Sequence, residues 1–220
     1  MDYDLAAGAA GFWFKPDKSY SVLDAVQGFT KMDESLWRGL VSTVHPGFDL
    51  LPGPAEFPLA DVPATRGFTE VLKIARSHYE WVIVDLAQNL NALSAAVALD
   101  LESVFVVATP DVSSLFQARR IIMTLADLGH HKDFVKLVVN RVHKDEAERV
   151  REFESLLGKT AVLPEDREEL AQAHSAGRLI SPQTELGRAI AKVTASLAGR
   201  EMPAVHHSRF SFYKTHEQRA

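Results

Sequence analysis

Residues 81–86 read Trp-Val-Ile-Val-Asp-Leu (WVIVDL), an almost unbroken apolar, β-branched run closed by an acid. A strand covered on only one face alternates apolar and polar residues. A strand buried on both faces, as in a parallel sheet covered by helices, does not. Two further runs have the same character, Val104–Ala108 (VFVVA) and Val135–Asn140 (VKLVVN). Phe48–Leu51 (FDLL) and Thr160–Leu163 (TAVL) are shorter strand candidates.

Helical periods fill the intervals. Gly67–Tyr79 places Phe68, Val71, Leu72 and Ala75 on one face. Ser113–Leu128 does so with Leu115, Ala118, Ile122, Leu125 and Leu128, and turns Arg119 and Arg120 outward. Asp145–Leu157 has an apolar stripe of Val150, Phe153 and Leu157, and Glu185–Leu197 has one of Leu186, Ile190, Val193 and Leu197. Strands alternating with helices of this length predict an α/β fold: a mostly parallel, doubly wound sheet flanked by helices. Residues 15–66 are broken by prolines into shorter pieces, with helices over Ser21–Phe29 and Asp33–Val41 starting at the N-caps Ser21 and Asp33. Residues 200–220 lose the helical period and read as a loose tail.

Composition narrows the function classes. The 220 residues are 46% hydrophobic and 24% charged, as in ordinary globular domains. A formal net charge of -5 argues against broad nucleic-acid or anionic-membrane binding. There is no cysteine, so disulfides and Cys-ligated metals are excluded. The N-terminus has no signal-peptide pattern, and cytoplasm is the default reading. In the tail, Phe210, Phe212 and Tyr213 lie among Arg209, Lys214 and Arg219, but Pro203 and the spacing favour a loose segment over a membrane-binding helix.

Ligands of open parallel sheets bind outside the carboxyl ends of the strands. Those ends carry Asp85, then Thr109-Pro110-Asp111, Asn140-Arg141 and Pro164-Glu165-Asp166, and the chain opens with Asp2-Tyr3-Asp4. Asp85 can hold Mg²⁺ through water or can cap the following turn. Asp111 or Ser113 can cap the next helix. Asn140 can satisfy strand-end backbone groups or read the edge of a base. The adjacent pairs His130-His131 and His206-His207 lack metal-ligand spacing. No G-x-x-x-x-G-K-[ST] phosphate loop occurs. Gly158-Lys159-Thr160 closes a helix and enters a strand, the reverse of the order that such a loop needs, and Gly158 reads as the helix cap.

The ordered set D-Y-D-L-A-A-G, V-I-V-D-L, A-T-P-D-V-S-S-L, L-V-V-N-R and L-P-E-D resembles the MinD/ParA family of deviant Walker ATPases over about residues 2–199. Within that family it is most similar to the CpaE/TadZ branch of Flp-type pilus assembly. The resemblance implies ATP and Mg²⁺ as cofactors, with Asp4 orienting the attacking water and Asp85 supporting Mg²⁺ through water. It implies Asn140 and Arg141 as nucleotide-binding residues, with Pro164 against the base. It implies a homodimer that works with pilus or secretion proteins, cytoplasmic or peripheral at the inner membrane or cell pole. Where the family has proline- or glycine-containing switch residues, this sequence has Ala87-Gln88-Asn89. In the family a strand, the phosphate loop, a helix and a second strand precede the Asp-x-Asp. Residues 1–199 are therefore expected to form such a domain without its first βαβ unit, followed by the tail 200–220. The chain as it stands is expected not to hydrolyse ATP or hold it tightly. The missing strand would lie between 81–86 and 104–108, which must either close up and pair or leave a gap. Two rivals are a nucleotide-independent scaffold on the same fold and a generic α/β binding domain.

Overall fold

The computed structural model describes residues 1–58, 63–130, 134–146, 148, 150, 151, 154 and 160–199. The predicted tail 200–220, the cap Gly158 and much of the predicted helix 145–157 lie outside the described residues.

The elements run α1 (Ala10–Phe14), α2 (Val22–Gly28), α3 (Glu34–Leu40), β1 (Ser42–His45), β2 (Phe48–Leu50), α4 (Thr65–His78), α5 (Ala92–Ala98), β3 (Val104–Ala108), α6 (Val112–Asp127), β4 (Val135–Val142), β5 (Thr160–Pro164), α7 (Arg167–Ser175) and α8 (Glu185–Leu197). Sequence chemistry sets the helix starts. Ser21 and Asp24 form a reciprocal capping box on α2, and Asp33 Oδ1 accepts from Leu36 N at 2.7 Å to open α3. Of the two cap candidates on α6, Asp111 is the one used, accepting from Ser114 N at 2.9 Å. Thr184 Oγ1 accepts from Gly187 N at the start of α8.

β3, β4 and β5 form a parallel sheet in that order. Val104, Val106 and Ala108 share a face with Leu137 and Val139, and this face packs on Leu115, Ala118 and Leu125 of α6. A second core joins Tyr3, Val22, Val26, Trp37 and Leu51 to Phe68, Val71 and Leu72 of α4. The Tyr3 ring meets Phe68 edge-on at 5.2 Å, and its hydroxyl donates to Phe68 O at 2.9 Å. Leu86 and Leu101 touch both cores.

Residues 1–3 are a strand without a strand's length. Asp2 N donates to Leu51 O at 3.0 Å, while Tyr3 N donates to Asp85 O and Asp85 N to Met1 O, both at 2.9 Å. Asp2 and Asp85 form a parallel bridge. The paired segments therefore run in the order Leu51, residues 1–3 and residues 83–85, and β3, β4 and β5 form a separate ladder.

Three expectations need correction. Phe48–Leu51 does form a strand, but β2 pairs antiparallel with β1 in a hairpin turned at Gly47, where φ is 74°. The run 81–86 is extended and paired through Asp85, but it is not buried on both faces: Trp81 is 58% exposed and Ile83 76%. Val107 of β3 is likewise 61% exposed. Among the described residues no backbone hydrogen bond joins 81–86 to β3, so the two runs have not closed up. No helix among the described residues is long and apolar enough to cross a membrane.

Two glycines give a paired test of the packing. A Cβ on Gly187 would land on the carbonyl oxygen of Ser181, whereas one on Gly39 in α3 would meet nothing within 4 Å. Gly187→Ala is expected to lower unfolding free energy by about 2–3 kcal/mol through overpacking. Gly39→Ala should raise it by about 0.5–1 kcal/mol through helix propensity. Urea denaturation of the two variants checks both signs.

Candidate functional site

The carboxyl ends of the strands carry two groups of the residues singled out from sequence. The first is Asp2, Asp4 and Asp85. Asp2 is buried, with Oδ1 accepting from Asp4 N at 3.1 Å and Oδ2 from Ala10 N at 3.3 Å. Burial pushes its carboxyl above the usual range, and the neighbouring Asp85 and Asp4 charges push the same way against those two hydrogen bonds. Gly8 keeps this pocket closed, since a Cβ there would sit 2.5 Å from both Asp2 carboxylate oxygens.

Asp4 is also buried, and its Oδ1 accepts from Ala6 N at 3.2 Å and Ala7 N at 2.9 Å. That side chain folds back on its own loop and holds the turn Leu5–Ala7. Asp85 is exposed, and its Oδ1 accepts from Ala87 N at 3.1 Å. Asp85 thus caps the following turn, as one reading of the sequence expected, while Oδ2 has no protein partner among the described residues. Among the described residues no three His, Asp or Glu side chains converge as a direct metal cage. A single outward carboxylate oxygen fits a cation held through water rather than by several protein ligands.

The second group is Asn140, Arg141 and Pro164. The predicted strand 135–140 runs on to Val142, so Asn140 and Arg141 lie just inside the end of β4, where its pairing with β5 shifts, and Val142 itself pairs with Pro164 while Glu165 N donates to Val142 O at 3.1 Å. Asn140 Oδ1 accepts from Arg141 N at 2.9 Å, which uses one of its acceptor positions on its own backbone. Its amide NH₂ finds no acceptor among the described residues. Arg141 is exposed and adopts a left-handed φ of 60°. Beside it, Glu165 is held by Arg167 Nε at 2.7 Å and His143 Nε2 at 2.6 Å. The Arg167 hydrogen bond, followed by the His143 and Arg141 charges, keeps the Glu165 carboxyl below its ordinary range.

What the sequence did not foretell is the tie between the groups. Trp13 of α1 stacks on His174 of α7, with ring centroids 4.1 Å apart and planes at 27°. A residue downstream of Asp4 thereby touches the helix downstream of Pro164. Neither α1 nor α7 has an apolar period long enough to be read as a helix, and a lone histidine gives no signal of stacking.

The site suits a nucleotide in part. Asn140, Arg141 and Pro164 form an edge with a free amide donor, and Asp85 offers a carboxylate oxygen. The phosphates find no such match, because the 220 residues contain no phosphate-loop motif. No step of phosphoryl transfer follows from this rim alone.

The fold places the molecule among known structures. A ParA family ATPase from Chlorobium tepidum superposes with a TM-score of 0.76 at 22% identity, covering 87% of this chain and 82% of that one. MinD in the MinC:MinD cell division complex of Aquifex aeolicus gives 0.72 at 18% identity, covering 92% and 84%. The cell division ATPase MinD of Pyrococcus furiosus gives 0.70 at 18% identity, covering 90% and 84%. No family model matches the sequence, and no curated protein matches it. The fold is that of the ParA and MinD ATPases.

Backbone strain at the rim is testable. Ala87, directly beyond the Asp85 turn, has a φ of 74°, a region that costs an L-residue about 1–2 kcal/mol. Glycine there removes that cost but loses more chain entropy on folding. Ala87→Gly is therefore expected to raise unfolding free energy by about 0.5–1 kcal/mol and Ala87→Val to lower it, both read from urea midpoints.

Proposed function

We propose that this chain is a MinD/ParA-like protein of the CpaE/TadZ pilus-assembly type. It acts as a positioning component that does not hydrolyse ATP as the polypeptide stands. The observation that carries the reading is the rim itself. Asp4 and Asp85 lie at one set of strand ends and Asn140, Arg141 and Pro164 at another, on a ParA/MinD fold, with no phosphate-binding loop in the sequence. Asp4 would orient water, Asp85 would support Mg²⁺ through water, and Asn140 with Arg141 and Pro164 would meet the base. Phosphate positioning and charge neutralisation supply most of phosphoryl-transfer catalysis, and residues for them are missing from this set.

A second reading is a nucleotide-independent scaffold on the same fold. It is favoured by the engagement of Asp4 Oδ1 and Asn140 Oδ1 with local backbone N–H groups, which gives both side chains a structural task without any ligand. In either reading the partners are proteins of the pilus or secretion machinery and a second copy of the chain. The work is done in the cytoplasm or at the inner face of the membrane, and nucleic acid is not a partner of a chain with this net charge.

Calorimetric titration with ATP and Mg²⁺ tests the proposal. The expected result is no binding tighter than about millimolar, an affinity worth only about 4 kcal/mol. Micromolar affinity, or turnover of ATP, would overturn it.

A further inference from the structure

The end of the molecule away from the rim holds a cavity that the nucleotide reading does not use. Tyr79 stands at the start of the extended run that leads to Asp85, so the surface around it lies at the far end of that run. There α3, the β1–β2 hairpin and the end of α4 border a space of about 430 Å³. Small-molecule sites typically measure roughly 300–1,000 Å³. Aromatic side chains make up much of the wall. Trp37 is buried and Tyr79 half-buried, and the Trp37 and His78 rings lie parallel to within 6°, with centroids 5.7 Å apart.

Two charges of opposite sign line this cavity, and neutral groups hold each in place. Thr43 Oγ1 donates to Asp49 Oδ1 at 2.6 Å and Tyr79 OH donates to Asp49 Oδ2 at 2.7 Å. Behind them, Trp37 Nε1 donates to Tyr79 OH at 3.3 Å. Burial, followed by the Asp49 hydrogen bond, pushes the Tyr79 hydroxyl up to about 12, so it stays a donor at neutral pH. The Asp49 carboxylate is thereby oriented, and each of its oxygens keeps a second acceptor position. Lys18 Nζ donates to Arg38 O at 2.7 Å and to Val41 O at 2.5 Å, which orients the ammonium and leaves its third N–H. The remaining charge on the lining, Arg38, is paired with Glu34 at 2.5 Å. Among the described residues no ion pair joins Lys18 to Asp49.

We propose that this cavity binds a free aromatic α-amino acid. The ligand carboxylate would meet Lys18, its ammonium would meet Asp49, and its ring would lie against the wall of Trp37, His78 and Tyr79. An oriented cation and an oriented anion that do not neutralise each other complement a zwitterion. A plain anion or a plain cation would cover one of the two without pairing it, which costs free energy. The aromatic wall favours a ring on the ligand over a short aliphatic side chain. The inference goes beyond the nucleotide reading and does not depend on it.

Calorimetric titration of the full chain with L-phenylalanine tests it. Saturable binding with a Kd of about 0.1–1 mM is expected for so small a ligand. Phenethylamine, which lacks the carboxylate, and 3-phenylpropionate, which lacks the ammonium, should each bind at least tenfold more weakly. L-alanine keeps both charges without the ring and should also lose tenfold or more. Lys18→Met should reduce phenylalanine binding to the level of phenethylamine, and Asp49→Asn should reduce it to the level of 3-phenylpropionate. Should Asp49→Asn loosen the hairpin, the Lys18→Met variant and the analogues on the unaltered chain decide the matter. No saturation by about 10 mM, a singly charged analogue binding as tightly as phenylalanine, or undiminished binding by Lys18→Met would overturn the proposal.

Discussion

Backbone amide pairing is the constraint on which this molecule turns. Residues 1–3 are held on one side by Leu51 O and on the other by Ile83 and Asp85. That short ladder fixes Tyr3 against Phe68, buries Asp2 and brings Asp4 and Asp85 to the same rim. Without it, the proline-rich first third would have no sheet to pack on, and the carboxylates would have no common frame. By the same rule the backbone groups of Val82, Val84, Phe105 and Val107 on the sides away from these ladders find no partner among the described residues.

Much of this was legible in the sequence. The α/β class followed from runs such as VFVVA alternating with amphipathic helices, and β3, β4, β5, α4, α6 and α8 lie within a few residues of where periodicity put them. Caps at Ser21 and Asp33 were readable because a side-chain oxygen before an apolar period has one favourable use. The β1–β2 hairpin was not readable, since Ser42–His45 has no apolar alternation and Pro46-Gly47 signals only a turn. Nor was the exposure of Trp81 and Ile83. An all-apolar run tells what a strand prefers to have on both faces, not whether anything is there.

The site divides in the same way. Topology sends strand ends to one rim, and Asp85 and Pro164 lie there, while Asn140 and Arg141 fall just inside the end of β4, where its register against β5 shifts. What those side chains do there depends on geometry that sequence does not carry. Asp4 and Asn140 turn back to their own backbones, Ala87 and Arg141 take left-handed conformations, and Trp13 crosses to His174. These features give a rim with its carboxylates largely committed and, among the described residues, the Asn140 amide NH₂ still open.

The most direct measurement is residue-resolved amide hydrogen exchange on the isolated chain. Tyr3, Asp85, Val106 and Ala108, whose N–H groups lie in ladders, should exchange slowly. Val82, Val84, Phe105 and Val107, one or two positions away on the same strands, should exchange orders of magnitude faster. Slow exchange at all eight would contradict the account, because it would mean that 82–84 and β3 are paired in one continuous sheet.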